Sequence, residues 1–309
     1  MTDTNRNLTM FCMSQTPFQT DGSLDEDGLR AHLQRLVTAG NGIYLGSGGA
    51  GEGHVLSVKE SRRVYEIGVE EAKGKVPLYA NPRESRTAEG MLKVANEAAS
   101  AGIDCVQFYQ LDAGHGMIPT PKEQELYWRT LLEAVKIPVA ISIHAYAGFM
   151  ATPDFLANLC EQYPQIIAVN VMNFDVPYFI KLRDTLPERI SLYSSYVNLI
   201  QMASLGAAGC LMAENNVIPN VTQAIADGWR DGDLDKMAEN AKNLQRFANI
   251  VSAWAPSTAR WVKMALKVLG LGNGVLRPPY LLPSEEDQRR MLAAFDALGV
   301  RELEGLPSA

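Results

Sequence analysis

Short apolar runs recur along the chain at Leu8–Met13, Gly42–Leu45, Val76–Ala80, Cys105–Tyr109, Val139–Ile143, Ile166–Asn170, Ile190–Ser194 and Gly209–Ala213. They are continuously apolar rather than alternating, as strands buried on both faces are. Between them the apolar positions move to helical spacing. Leu29, Leu33, Leu36 and Val37 share one face, and Gly40 ends that stretch. Ser57-Val58-Lys59-Glu60 and Thr120-Pro121-Lys122-Glu123 are capping boxes, and Thr152-Pro153 opens a further helix. Repeated strand–helix alternation predicts an α/β protein, a (β/α)8 TIM barrel. A doubly wound open sheet fits less well, because no G-x-G-x-x-G turn follows the first run. After the last run the chain loses strand character, and Asp233–Trp254, Thr258–Leu269 and Glu285–Leu298 read as helices. The reading is a barrel over residues 1–225 and a C-terminal helical extension over 226–309, within one structural unit.

Composition narrows the partners. The 309 residues are 47% hydrophobic and carry a net charge of −7, so a core is available and no basic face for nucleic acid stands out. No apolar stretch is long enough to span a bilayer, and Met1–Asn7 is polar, so the expected location is the cytoplasm. Cys12, Cys105, Cys160 and Cys210 form no C-x-x-C pair and read as buried free thiols in a reducing compartment.

A barrel carries its chemistry at the C-terminal ends of its strands. The polar residues there are Ser14, Glu52, Arg83, Asp112, His115, His144, Asn170, Asn173, Ser194, Ser195, Glu214 and Asn215. His144 directly follows an apolar run and suits acid–base work; a loop-bonding histidine is the plain alternative. His115 sits in Asp112-Ala113-Gly114-His115-Gly116, whose glycines allow close approach to a ligand, or simply shape an exposed loop. Asn170 could polarise a carbonyl by hydrogen bonding or merely fill space. Glu52, in the glycine-rich turn with Gly48 and Gly49, also suits a backbone-capping role. Glu214 reads equally as an acid or a helix-end residue. Asp112, His115, His144 and Glu52 or Glu214 are metal-compatible donors, but their spacing matches no ligand motif, so no metal or other cofactor is assigned. His32, on a helix, His54, at the surface or an interface, and Lys263 and Lys267, on a late helix, draw no site argument. Tyr127, Trp128, Trp229, Trp254 and Trp261 read as packing.

Several phrases resemble the dihydrodipicolinate synthase / N-acetylneuraminate lyase family of aldolases. They are Thr16-Pro17-Phe18 with Asp25, Gly48-Gly49-Ala50-Gly51-Glu52, Leu56-Ser57 with Glu60, Asn216-Val217 with Pro219, and Arg277-Pro278-Pro279. The resemblance runs in order along nearly the whole chain and implies the same barrel. It also implies differences in the site. Asn170 falls where the family carries its Schiff-base lysine, and an amide forms no imine. Gly49 and Ala50 replace the threonines that hold the substrate carboxylate. Ser142 takes the place of the strand-five tyrosine, and the tyrosine pair after strand four falls near Asp112-Ala113.

The resulting expectation is a lyase without a Schiff base on a small carbonyl or carboxylate substrate, by retro-aldol cleavage, hydration/dehydration or a related proton transfer. The catalytic candidates are His144, Asn170, His115 and Asp112; the substrate-binding candidates are Ser14, Gly48, Gly49, Glu52, Ser142, Ser195 and Glu214. A metal-dependent lyase or hydrolase on the same pocket, and a catalytically silent metabolite-binding member, are the alternatives. Dihydrodipicolinate synthesis and sialic acid cleavage rank last. The expected partner is a small-molecule substrate, with no nucleic acid and no membrane, and the resemblance implies a homodimer or homotetramer.

Overall fold

A computed structural model describes residues 7–82, 87–111, 117–144, 148, 150–172, 175–254 and 257–307. Its centre is a closed barrel of eight parallel strands in sequential order. The strands are β1 (Thr9–Met13), β2 (Gly42–Leu45), β3 (Leu78–Ala80), β4 (Cys105–Tyr109), β5 (Val139–His144), β6 (Ile166–Met172), β7 (Ser191–Ser194) and β8 (Gly209–Met212). The apolar runs therefore mark every strand. Two strands run further than their apolar runs, β5 to His144 and β6 to Met172. Strand pairing continues there, Ile143 with Val171 and His144 with Met172, past the polar residues that end each run in sequence.

The connecting helices are α1 (Glu26–Ala39), α2 (Val58–Ala72), α3 (Ala88–Ala101), α4 (Pro121–Ala134), α5 (Pro153–Gln162), α6 (Val176–Thr185), α7 (Leu199–Ser204) and α8 (Pro219–Asp231). Their ends are written locally. Both capping boxes close reciprocally, at Ser57/Glu60 and at Thr120/Glu123, satisfying amides that the first helical turn leaves orphaned. Gly40 ends α1 at φ 86°, in the left-handed conformation. Beyond the barrel come α9 (Leu234–Val251), α10 (Thr258–Val268), α11 (Glu285–Leu298) and α12 (Val300–Leu303). The eighth barrel helix crosses residue 225, so the extension proper starts at α9, which packs on α8.

Burial divides into three layers. Phe11, Tyr44, Cys105, Ala140, Ala168, Tyr193 and Leu211 fill the barrel interior. A large cluster lies between the strands and α1–α6. Another ties β1 and β8 to α8–α11 through residues such as Val221, Phe247, Trp261 and Phe295. Barrel closure depends on Gly209. It pairs with Thr9 at φ 144°, and a Cβ there would stand 2.0 Å from the Thr9 carbonyl oxygen. All four cysteines are buried free thiols. No helix among the described residues is long and apolar enough to cross a membrane.

Candidate functional site

Strand register puts the central candidates in rows. Ser142 on β5 pairs with Asn170 on β6, which pairs with Tyr193 on β7; one step toward the C-terminal end, His144 pairs with Met172. Side chains two residues apart on a strand share a face. Ser142 and His144 therefore stack on one strand, and Ser142 Oγ lies 2.7 Å from His144 Nε2. The imidazole also stacks on the Tyr109 ring, with centroids 5.0 Å apart. It is 8% exposed. Burial lowers its pKa to about 4. At neutral pH it is an uncharged imidazole, able to accept a proton.

Asn170 is fully buried at the middle of β6. Its Nδ2 meets the Tyr44 hydroxyl at 2.9 Å and also Gln107 Oε1, while Gln107 Nε2 meets Asn81 Oδ1 at 2.9 Å. A chain of side chains thus links β2, the end of β3, β4 and β6. Asn170 Oδ1 and Asn81 Nδ2 have no partner among the described residues. Reversing the three amides keeps each contact, because amide oxygen and nitrogen are interchangeable in outline. In that orientation the Tyr44 hydroxyl and Gln107 Nε2 both donate to Asn170 Oδ1, and Asn170 Nδ2 becomes the open donor. Burial pushes the Tyr44 phenol well above its ordinary range, so it stays protonated and needs an acceptor, which this orientation supplies. Tyr44, Gln107 and Asn81 escaped the sequence reading. The available signal was Gln107, an amide inside a run that is otherwise apolar apart from its terminal tyrosine.

No lysine lies on any barrel strand. The one buried lysine among the described residues is Lys263 on α10, and it is committed elsewhere. It forms an ion pair with Glu52, donates to the Val275 carbonyl at 2.8 Å and rests 4.1 Å from the centre of the Phe18 ring. Arg277 lies 4.3 Å from the same ring and pairs with Glu60. Glu52 has a left-handed backbone, φ 50°, and is 1% exposed. Its carboxylate thus joins the turn after β2 to the C-terminal extension, which differs from the substrate-binding and backbone-capping expectations alike. Burial raises the Glu52 pKa and lowers that of Lys263.

The remaining candidates separate. Gly48 is half-buried and Gly49 exposed, in the turn that Glu52 closes. Ser14 is fully buried and donates to the Gln15 carbonyl at 3.1 Å. Asn215 donates to Asn41 at 3.0 Å, and Ser194 to the Ser195 and Gly209 carbonyls; these are contacts of scaffold kind. His32 meets Asn216 Oδ1 at 3.0 Å, and burial takes its pKa to about 3. Asn216 in turn binds Gln15 N and the Met13 and Ala213 carbonyls, tying β8 to β1. Ser195 and Glu214 line a cavity of about 170 Å³ with Met13, Met172, Leu211 and Thr258. The Glu214 carboxyl accepts from its own strand end, Ala213 N at 3.1 Å, and bonds the Tyr196 hydroxyl. Burial raises its pKa to about 7. Asp112 and His115, with Arg83 and Asn173, lie outside the described residues.

Comparison with known proteins agrees with this architecture. The dihydrodipicolinate synthetase family profile matches residues 7–298. The 4-hydroxy-tetrahydrodipicolinate synthase of Methanopyrus kandleri is 27% identical over 284 residues, covering 90% of this chain and 91% of that protein. The N-acetylneuraminate lyase of Lactiplantibacillus plantarum is 25% identical over 295 residues, covering 93% of this chain and 97% of that protein. Dihydrodipicolinate synthase from Aquifex aeolicus superposes with a TM-score of 0.84 at 20% identity, over 95% of this chain and 98% of that one. YagE from E. coli K12, solved in complex with pyruvate, gives 0.86 at 20% identity, over 95% and 99%. At these identities the superpositions show a shared fold.

Proposed function

Because the chain belongs to the dihydrodipicolinate synthetase family, we propose that it is a lyase working on a small carbonyl or carboxylate substrate without forming a Schiff base. The observation that carries this reading is the amide of Asn170 at the middle of β6, held by Tyr44 and Gln107 in a barrel whose strands bear no lysine. An imine needs a nucleophilic amine. A fixed amide offers instead a hydrogen bond to a substrate carbonyl oxygen, and such preorganised donors stabilise the negative charge that develops on it. The orientation with Asn170 Nδ2 open provides that donor.

His144 and Ser142 act as one acid–base unit in this reading. The neutral imidazole takes a proton from the carbon beside the polarised carbonyl, directly or through the Ser142 hydroxyl, and returns it at the end. Their 2.7 Å contact supports the pairing, since an acid or base must lie within hydrogen-bond reach of the proton it moves. Burial beside Tyr109 keeps the imidazole uncharged until a proton arrives. Asp112 and His115 are proposed to assist from the loop after β4. The metal-dependent alternative loses one of its donors, because the Glu52 carboxylate is taken by Lys263.

Reductive trapping tests the proposal. Incubation with pyruvate and borohydride should leave the mass of the protein unchanged. A stable adduct on a lysine would refute it. With a turned-over substrate in hand, His144→Gln should lower the rate on the order of a hundred- to ten-thousand-fold, with folding retained at neutral pH.

A further inference from the structure

Three amides share one layer of the barrel interior. Gln107 stands two residues beyond Cys105 and Asn170 two beyond Ala168, both interior positions. Asn81 stands two beyond Tyr79, whose ring meets Phe11 and Tyr44 inside the barrel. The Asn81 backbone N–H still bonds the Leu45 carbonyl, at 2.7 Å. Strand alternation therefore carries past the end of β3 and turns this amide inward as well. Between Gln107 and Asn170, β5 presents only Ala140 and Ser142 in register, so no large side chain of that strand fills the space beside them. All three amides are fully buried.

A chain of hydrogen-bonded amides has a direction, because each amide donates from its nitrogen and accepts at its oxygen. Its two ends are therefore of opposite kind. The Tyr44 phenol, protonated at neutral pH, sets the direction here. It donates to Asn170 Oδ1, Gln107 Nε2 donates to the same oxygen, and Gln107 Oε1 accepts from Asn81 Nδ2. Asn170 Nδ2 then ends the chain as a donor and Asn81 Oδ1 ends it as an acceptor. The atoms at both of these positions lack a partner among the described residues. Leaving a buried polar atom unpaired is costly. Two such atoms at the ends of one chain mark where a bound molecule makes its hydrogen bonds.

We propose that Asn81 is a substrate-specificity residue whose Oδ1 accepts a hydrogen bond from a hydroxyl of the same molecule whose carbonyl oxygen meets Asn170 Nδ2. The proposal rests on the carbonyl-polarising role given to Asn170 above, and it makes the substrate class a hydroxy-carbonyl compound. Asn81 binds and orients the hydroxyl and transfers no proton, since an amide oxygen is an acceptor only. Tyr44 and Gln107 are positioning residues that decide which atom each asparagine presents. The direction of the chain also discriminates. A molecule with an acceptor at both ends, such as a diketone, would face Asn81 Oδ1 with a second acceptor and leave that oxygen unpaired.

Saturation-transfer NMR on the full chain compares two ketols with the ketones that lack their hydroxyl: hydroxyacetone with acetone, and diacetone alcohol with methyl isobutyl ketone. At least one ketol should bind on the order of ten-fold more tightly than its ketone, the effect of one added hydrogen bond. Diacetyl, an acceptor at both ends, should gain nothing over acetone. Asn81→Ala should erase the ketol preference and keep the ketone affinity, because Asn170 still faces the carbonyl. Tyr44→Phe, which removes the donor that sets the direction, should narrow the ketol preference, whereas a merely structural role would weaken ketol and ketone alike. The wild-type comparison decides even where a variant fails to fold. Equal affinity of ketol and ketone, as a resident water at Asn81 would give, overturns the proposal. So does absence of ketol binding, or a preference that survives in Asn81→Ala. Equal affinity leaves the result of reductive trapping untouched, and a trapped lysine adduct leaves the ketol preference as measured, so the two readings fail separately.

Discussion

Replacing Glu214 and His144 by glutamine, singly, should bend the pH–stability curve in opposite directions. Glu214 is buried with its pKa raised from 4.5 to about 7. Between those values the native state holds a proton that the unfolded chain has released, so its contribution falls as pH rises. Its cost is small at pH 5 and nearly complete at pH 8, a change of about 2.5 kcal/mol. His144 is the converse, lowered from 6.5 to about 4. Below the upper value the unfolded chain takes a proton that the native imidazole refuses, so stability is lost as pH falls, about 2 kcal/mol by pH 5. His32, lowered further by burial, adds to the same acid slope in every variant and cancels in the differences. An unfolding entropy of ~2.1 cal/mol/K per residue makes one degree of melting temperature worth about 0.65 kcal/mol in this chain. Scanning calorimetry from pH 5 to pH 8 should therefore find Glu214→Gln gaining about 4 °C on the wild type as pH rises. His144→Gln should gain about 3 °C as pH falls to 5, with little change at pH 8. Curves parallel to the wild type would show that these groups titrate in the fold as they do in water, and the assignment of a buried acid and a buried neutral base would fail.

Lys263→Met leaves Glu52 buried without its partner and should cost about 3–5 kcal/mol in denaturant unfolding, whereas the double change Glu52→Gln, Lys263→Met should recover much of that loss. Gly209→Ala places a methyl against the Thr9 carbonyl, and soluble, folded protein in wild-type yield would contradict the close β1–β8 approach. A homodimer or homotetramer is expected by light scattering at micromolar concentration, and a monomer would count against it.

Much of the barrel was legible because its physics is local. Strands buried on both faces need unbroken apolar runs, and helix starts carry their caps in sequence, as at Ser57 and Thr120. The end of β5 was harder to read. His144 belongs to the strand, but a polar residue at a barrel mouth looks like the start of a loop. Partnerships across the barrel were not legible at all. Glu52 and Lys263 are far apart in sequence, and nothing near either residue names the other. The same holds for Asn170 with Tyr44 and Gln107, which meet only after β2, β4 and β6 close around one axis. Glu214 stayed ambiguous because its character comes from burial, which its neighbours Ala213 and Asn215 do not reveal. The register that joins Ser142, Asn170 and Tyr193 was implicit in three apolar runs, but alignment between strands is decided by the barrel's closure.

The two shifted groups also bear on why an amide can stand at the centre of such a site. A Schiff base draws its power from a covalent cationic electron sink. On the reading proposed above there is none, and an enolate's charge would be carried by hydrogen bonds, which strengthen where water is excluded. The aromatic interior of Phe11, Tyr44, Tyr79 and Tyr193 provides such a floor beneath Asn170. The same exclusion of water that strengthens the amide's hydrogen bond pushes the imidazole down and the carboxyl up. Near neutrality the imidazole then rests uncharged, ready to accept a proton, while the carboxyl is about half ionised and able to do either. Here burial is the largest cause of both shifts, so an enlarged, wetter barrel mouth should weaken both together. Met172→Ala borders His144 in register and lines the Glu214 cavity. It should move the two NMR-measured pKa values toward 6.5 and 4.5, their ordinary values. Movement of one without the other would show that the two groups do not share a solvent boundary.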